Sequence, residues 1–199
     1  MPAADSATSW GWVTRLLHWG IAGLILFQLG LGVWSANFVP DLIARFRLAQ
    51  LHKSFGFVIF ALALVRVAWR LHGRQHPALP PGTPAWQVRA ARASHGLLYL
   101  LIFVLPLSGW VMASAAPTQD LLGIQNMVFG LFPLPDPWVP GVKAIEAAAF
   151  RVHAGAAIVI VLVLVVHAGA ALKHHFVDRD DVLRRMTLGG VRTKENRRT

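Results

Sequence analysis

The sequence predicts an all-α integral membrane protein: a four-helix bundle of four transmembrane helices with both termini in the cytoplasm. Three observations predict it. Of 199 residues, 55% are hydrophobic and only 14% charged, and the charges cluster outside the apolar runs. The mean hydropathy of +0.52 exceeds that of an ordinary soluble domain. Four apolar runs, about 12–34, 48–71, 92–114 and 147–172, are each long enough to cross a bilayer core. Finally, with four spans, 14 of the 19 Lys and Arg residues fall on the side that carries both termini. The positive-inside rule makes that side cytoplasmic.

Each element follows in chain order. Residues 1–11 are short and polar. The first span carries Arg15 and His18 at its start, with Trp19 and Trp34 as interfacial anchors. It is long for a cleaved signal peptide and contains a histidine, so it is read as a retained helix. Residues 35–47 form a connection with Pro40, Asp41, Arg45 and Arg47. The second span has His52 in its first turns. Residues 72–91 read as a basic loop rich in proline, with His72 and His76. The third span opens near Arg92 and His95 and contains Pro106, a kink that membrane bundles tolerate. Residues 115–147 are rich in Pro, Gly and aromatics, which favours a folded cap at the interface. A helical lead-in from Val142 feeds the fourth span. Residues 10–188 therefore make a single transmembrane domain, and 189–199 a basic cytoplasmic tail.

Composition excludes several chemistries. There is no cysteine, so disulfides, Cys-ligated zinc, iron–sulfur clusters and thioether-linked haem are out. The net charge of +10 would suggest nucleic acid in a soluble protein. In a membrane chain the excess basic residues are topology signals beside anionic lipid, and no nucleic-acid partner is expected.

Nine histidines remain as metal-binding donors. His153 and His167 bracket Ala154–Val166, a stretch without a polar side chain. At about 100° and 1.5 Å per residue, they share one helix stripe roughly 21 Å apart. Ionisable residues inside a membrane are costly and point to function. Topology assigns the others a depth. His52 is the partner available to His153 in the outer half, while His18 or His95 can pair with His167 in the inner half. His18 lies deeper in its span than His95, which favours it. His174 and His175 read as interfacial. Two histidine layers in a four-helix bundle suit two b-type haems, each with bis-imidazole iron. Gly20, Gly23, Gly56, Gly96, Gly155 and Gly169 lie near the candidate ligands, and Arg15, Lys53, Arg92 and Arg151 could pair with haem propionates. The alternative reading of such histidines, a His-lined metal or proton transporter, would ordinarily want intramembrane carboxylates, and the spans offer only the marginal Glu146.

These residues resemble the bacterial cytochrome b561 family, four-helix di-haem proteins that include superoxide oxidase. The resemblance rests on RLLHW at 15–19, LHKSFG at 51–56, the segment 91–110 ending in LPLSGW, and the spaced histidines followed by AGAALKHHF at 168–176. It covers about residues 10–188. It implies that His18 with His167 binds the cytoplasmic haem and His52 with His153 the periplasmic one. His95 is left for a propionate or a quinone site.

The resemblance further implies electron transfer with ubiquinone in the bacterial inner membrane, as part of the respiratory chain. One form of it is a superoxide:ubiquinone oxidoreductase, which takes electrons from periplasmic superoxide. The other is an electron-transfer or anchor subunit that links a dehydrogenase or hydrogenase partner protein to the quinone pool. Lys53, Arg151, Arg45, Arg47 and Lys143 share the expected outer face, where cations would steer a small anion. The bland reading is that they merely balance propionates and the nearby carboxylates. Trp34, Trp110 and Trp138 are candidates for an electron or quinone path.

Overall fold

The computed structural model describes residues 2–73, 77–80 and 82–188. Arg74 and His76 of the basic loop, and the tail 189–199, lie outside the described residues. In chain order the elements are α1 (Trp12–Asn37), α2 (Leu42–His72), α3 (Ala85–Ala115), α4 (Pro117–Leu122), β1 (Asn126–Val128), β2 (Phe132–Leu134), α5 (Lys143–Phe176) and α6 (Val182–Thr187). α1, α2, α3 and α5 are each long and apolar enough to cross a membrane. Their outward faces carry large aliphatic residues: Leu26 is 64% exposed, Ile158 64% and Val165 67%. Such surfaces suit a hydrocarbon solvent, where apolar exposure carries no hydrophobic penalty.

The long helices outrun the apolar spans that the sequence marks. α5 has 34 residues, about 51 Å at 1.5 Å per residue, against a hydrocarbon core of about 30 Å. Two starts differ from expectation. α2 begins at Leu42, inside the expected connection, because the Asp41 carboxylate accepts from the Ala44 amide at 2.6 Å and caps the first turn. α3 begins at Ala85, so residues 85–91 are helix rather than loop. The Pro84 carbonyl receives the Gln87 and Val88 amides at 3.0 and 3.2 Å. Charged and polar residues hid these turns because an apolar run marks the membrane, not the helix. Pro106 sits inside α3 without ending it.

The stretch after α3 is folded, as expected. α4 leads into an antiparallel hairpin that pairs Asn126 with Leu134 and Val128 with Phe132. Its turn is closed by the Leu131 amide on the Val128 carbonyl at 2.9 Å. Both central residues, Phe129 (φ 50°) and Gly130 (φ 71°), have positive φ, the geometry whose twist matches paired strands. Glycine adopts it freely, whereas phenylalanine is strained there by about 1 kcal/mol or more. Phe129 is held by its amide donating to Ser54 Oγ at 2.9 Å and by edge-on packing against Phe55.

The chain divides into two compact units, and each long helix contributes to both. One unit comprises the described parts of Met1–Gly20, Leu64–Leu98 and Val161–Thr199. It is tied by polar contacts between distant segments. Trp69 Nε1 donates to Thr14 Oγ1 at 3.1 Å, Trp19 Nε1 to the Met186 carbonyl at 2.9 Å, and Arg185 Nη1 to the Ala78 carbonyl at 2.8 Å. Beyond α5, Lys173 pairs with Asp178 at 2.7 Å and His174 Nδ1 with Asp180 at 2.6 Å, which fixes the turn into α6.

The other unit comprises Ile21–Ala63 and Tyr99–Ile160. Its apolar core is built from Ile21 and Ile25 of α1, Ile59 and Ala63 of α2, Leu101 and Ile102 of α3, and Ala149, Ala156 and Ile160 of α5.

Candidate functional site

In the unit of Ile21–Ala63 and Tyr99–Ile160, His52 of α2 and His153 of α5 face each other. Their ring centres are 6.1 Å apart and the planes 72° apart. α3 orients His153. The ring Nδ1–H donates to the Leu105 carbonyl at 2.9 Å, with Ser108 Oγ at 3.2 Å, and Ser108 itself donates to the same carbonyl. A donor on Nδ1 fixes the tautomer and leaves Nε2 with its lone pair. Gly109 makes room for this ring: a Cβ there would lie 3.2 Å from His153 Cε1. α1 does the same for His52, since a Cβ on Gly32 would lie 3.2 Å from His52 Cε1. The buried Gln28 of α1 donates to the His52 carbonyl at 2.7 Å and joins the helices at that turn. The Nδ1 atom of His52 is buried and, among the described residues, has no hydrogen-bond partner.

In the other unit, His167 of α5 has two imidazole neighbours. His18 of α1 lies with its ring centre 6.3 Å away, and His95 of α3 at 5.2 Å. His18 and His167 are half-buried, whereas His95 is exposed. Arg66 of α2 places Nη2 3.2 Å from His18 Nδ1. A guanidinium has only donors, so Nδ1 is the acceptor in this contact.

Of the basic residues singled out from the sequence, Arg15 and Lys53 make hydrogen bonds to distant segments. Arg15 Nη1 donates to the Thr187 carbonyl at the end of α6, 3.0 Å away. Lys53 Nζ donates to Asn126 Oδ1 at 3.2 Å, which ties the turn after His52 to the hairpin. Arg92 and Arg151 are exposed, as are Arg45, Arg47 and Lys143. His72 is exposed at the end of α2, and His175 packs against Phe176. Gly20, Gly23, Gly96, Gly155 and Gly169 would bring an added Cβ within 4 Å of no other group, and Gly56 meets only Gln28 Nε2 at 3.7 Å. The glycines that lie against histidine rings are Gly32 and Gly109. Among the tryptophans, Trp34 stacks on Phe38 and Trp110 packs edge-on against Phe57. Trp138 lines an apolar groove of about 440 Å³ between α3 and α5, into which Ser108 brings a hydroxyl.

Gln28, Gly32, Arg66, Leu105, Ser108, Gly109 and Asn126 escaped the sequence reading as site residues. Arg66 is one of the 14 basic residues on the side of the termini, and a basic residue within an apolar span is itself a signal. Gln28 is an amide in the first span and carried the same signal. Leu105 acts through its backbone carbonyl, so its side chain announces nothing.

Two imidazoles on opposite sides of one metal ion, each with a metal–nitrogen bond of about 2 Å, hold their ring centres roughly 6 Å apart. The 6.1 and 6.3 Å pairs have that separation, while the 5.2 Å pair is closer than such an arrangement sets. Paired neutral imidazoles suit an iron or another borderline transition metal.

Comparison with known proteins identifies the family. Residues 9–189 match the family model described as prokaryotic cytochrome b561. The chain is 32% identical to cytochrome b561 homolog 2 of Escherichia coli (strain K12), over 94% of this chain and 95% of that protein. It is 30% identical to cytochrome b561 homolog 1 of the same organism, over 69% of this chain and 73% of that protein. It is also 30% identical to cytochrome b562 of Cereibacter sphaeroides, over 87% of this chain and 93% of that protein. With its four membrane-length helices, the chain belongs to the prokaryotic cytochrome b561 family, membrane proteins that bind b-type haem and serve electron transfer.

Proposed function

We propose that the chain is a di-haem electron-transfer protein of the bacterial inner membrane that oxidises superoxide and reduces ubiquinone. His52 with His153 would hold one haem b, and His18 with His167 the other. The observation that carries this is the pair of ring separations, 6.1 and 6.3 Å, each of which would admit one metal ion between the two imidazoles. The residues fit the group in a second way. His153 already presents Nε2 because Nδ1 is engaged by Leu105, the usual arrangement for a metal-bound imidazole. His95, closer to His167 and exposed, is left as a neighbour rather than an axial ligand.

Bound haem supplies the one-electron chemistry, since ligation on both faces leaves the iron for electron transfer rather than oxygen binding. The chain's own residues do the rest. The histidines fix the position and orientation of each group, and Gly32 and Gly109 let α1 and α3 approach the rings. Arg45, Arg47, Lys143 and Arg151, all exposed, supply cations that would draw a small anion. Lys53, half-buried and held on Asn126 Oδ1, is less open to such an anion than these four. The overall reaction takes two superoxide anions, one ubiquinone and two protons to two dioxygen molecules and one ubiquinol.

The test is to mix purified, haem-loaded protein with a superoxide source and a ubiquinone analogue. Haem reduction that outpaces superoxide dismutation, followed by quinol formation, is the expected result. Reduction slower than dismutation would sink the superoxide reading and leave the alternative, a subunit fed by a dehydrogenase or hydrogenase.

Gly109→Val checks the geometry of one site. A branched side chain there would overlap the His153 ring, whose nearest atom is already 3.2 Å from a bare Cβ. The expected result is a fall in haem content from two per chain towards one, measured as pyridine haemochrome per protein. Two haems retained would show that Gly109 is not a fitting position.

A further inference from the structure

The segment between α3 and α5 is built with polar groups inside. Asn126 and Gln119 are buried and both donate to Asp136 Oδ1, at 2.6 Å each. Its large apolar side chains are on the outside: Leu121 is 82% exposed, Leu131 77% and Val139 70%. No Lys or Arg occurs between Arg92 and Lys143. In water such a surface would be a liability, whereas beside lipid it carries no hydrophobic penalty. The segment therefore continues the lipid-facing surface of the long helices instead of ending it.

Between α3 and α5 this surface is indented. The groove of about 440 Å³ is lined by α3 between Val104 and Val111 and by α5 between Ile145 and Val152, with Trp138 joining from the segment. Its α3 wall runs about 10 Å along the helix, and its volume is that of a small-molecule site. Two of the lining side chains carry a polar atom, Ser108 and Trp138. The Ser108 hydroxyl already donates to the Leu105 carbonyl at 3.0 Å, and its other neighbour is His153 Nδ1 at 3.2 Å. The Trp138 indole N–H is then the one side-chain donor left for a ligand. It belongs to the segment beyond the ends of α3 and α5, where headgroups begin.

We infer that this groove seats one acyl chain of a phospholipid from the adjoining leaflet, with its ester end at Trp138 and its methylenes along Val104, Leu107 and Val152. Such a chain is apolar over its length and has its acceptors at one end, which matches an apolar trough with a single donor. A quinone ring carries carbonyls on opposite edges and would bury one of them unpaired. A polypeptide segment would bring backbone amides that the lining side chains do not satisfy. Seated there, the chain covers Ser108 and closes the seam of α3 and α5 behind the hydrogen bond from His153 to Leu105. The inference stands on the membrane fold and does not use the two-haem reading.

The experiment places the full-length holoprotein in vesicles of phosphatidylethanolamine and phosphatidylglycerol. A trace of the phosphatidylethanolamine carries a diazirine on its acyl chain, and after illumination the labelled residues are located by mass spectrometry. The inference expects labelling concentrated on 104–111 and 145–152, above that at Leu26 and Val165, which are exposed on other faces of the long helices. Ala148→Phe fills the trough and should bring groove labelling down to the level at Leu26, with haem content and the label elsewhere unchanged. An excess of a ubiquinone analogue should displace nothing. Even labelling of all lipid-facing residues would overturn the inference and leave only a fluid annulus of lipid. Groove labelling unchanged in Ala148→Phe would overturn it as well, and displacement by the ubiquinone analogue would give the groove to a quinone. If Ala148→Phe does not fold, judged by lost haem, Val111→Phe fills the groove from α3 and the same outcomes decide.

Discussion

His52→Ala should remove one b-type haem and leave the other, which halves the haem-to-protein ratio while preserving a b-type spectrum. The expectation follows from the separation of the pairs. His52 and His153 lie in one compact unit and His18 and His167 in the other, and each pair has its own supporting contacts. His52 is held through Gly32 and the Gln28 amide on its carbonyl, none of which belongs to the unit of His18. His52 would bond the iron directly, so its removal should cost the group outright rather than weaken it. His95→Ala is the companion variant and should keep both haems. Equal loss of both haems in His52→Ala would count against independent sites. Loss of one haem in His95→Ala, with retention of both in His18→Ala, would transfer the ligand role from His18 to His95.

Asn126→Leu should open the segment between α3 and α5. Asn126 is 1% exposed and joins three groups. Its Nδ2 donates to Ser114 Oγ at 3.1 Å and to Asp136 Oδ1 at 2.6 Å, and its Oδ1 accepts from Lys53 at 3.2 Å. Gln119 Nε2 completes the cluster on Asp136 at 2.6 Å. A leucine fills the volume but removes the amide acceptor of the Lys53 ammonium and one of the two donors on Asp136 Oδ1. Removing partners from such groups costs about 1–3 kcal/mol each, so a loss of about 3 kcal/mol is expected. That corresponds to a roughly 100-fold faster amide exchange where local opening governs exchange. Hydrogen exchange over residues 116–142, read by mass spectrometry, should show it, while the middle of α2 and α5 keeps its protection. Unchanged exchange over 116–142 would show that the hairpin is held by its apolar packing and its Ser54 contacts alone.

Much of the site could be read in advance because membrane insertion simplifies the sequence. A histidine in an apolar run is conspicuous, and helical periodicity places His153 and His167 on one stripe. The structure brings His18 near His167 and His52 near His153. The contacts of Arg15 and Lys53 were less legible. A long basic side chain reaches any acceptor within several ångströms, and nothing in its sequence position says which. Arg15 meets the end of α6 and Lys53 meets Asn126, both remote in sequence. Gly32 and Gly109, which lie against the His52 and His153 rings, are on neighbouring helices, so no spacing along α2 or α5 points to them.

The sequence by itself determined the four membrane-length helices, the absence of thiol chemistry and the histidine inventory, because hydropathy and residue type act locally and survive without knowledge of the fold. Only the tertiary structure decided which rings face one another and what stands behind each. The Leu105 carbonyl behind His153, the Arg66 guanidinium beside His18 and the Asn126 cluster beside Lys53 each join separate elements. Helix rotation and side-chain reach select those partners, and neither is written in the spacing of a single helix.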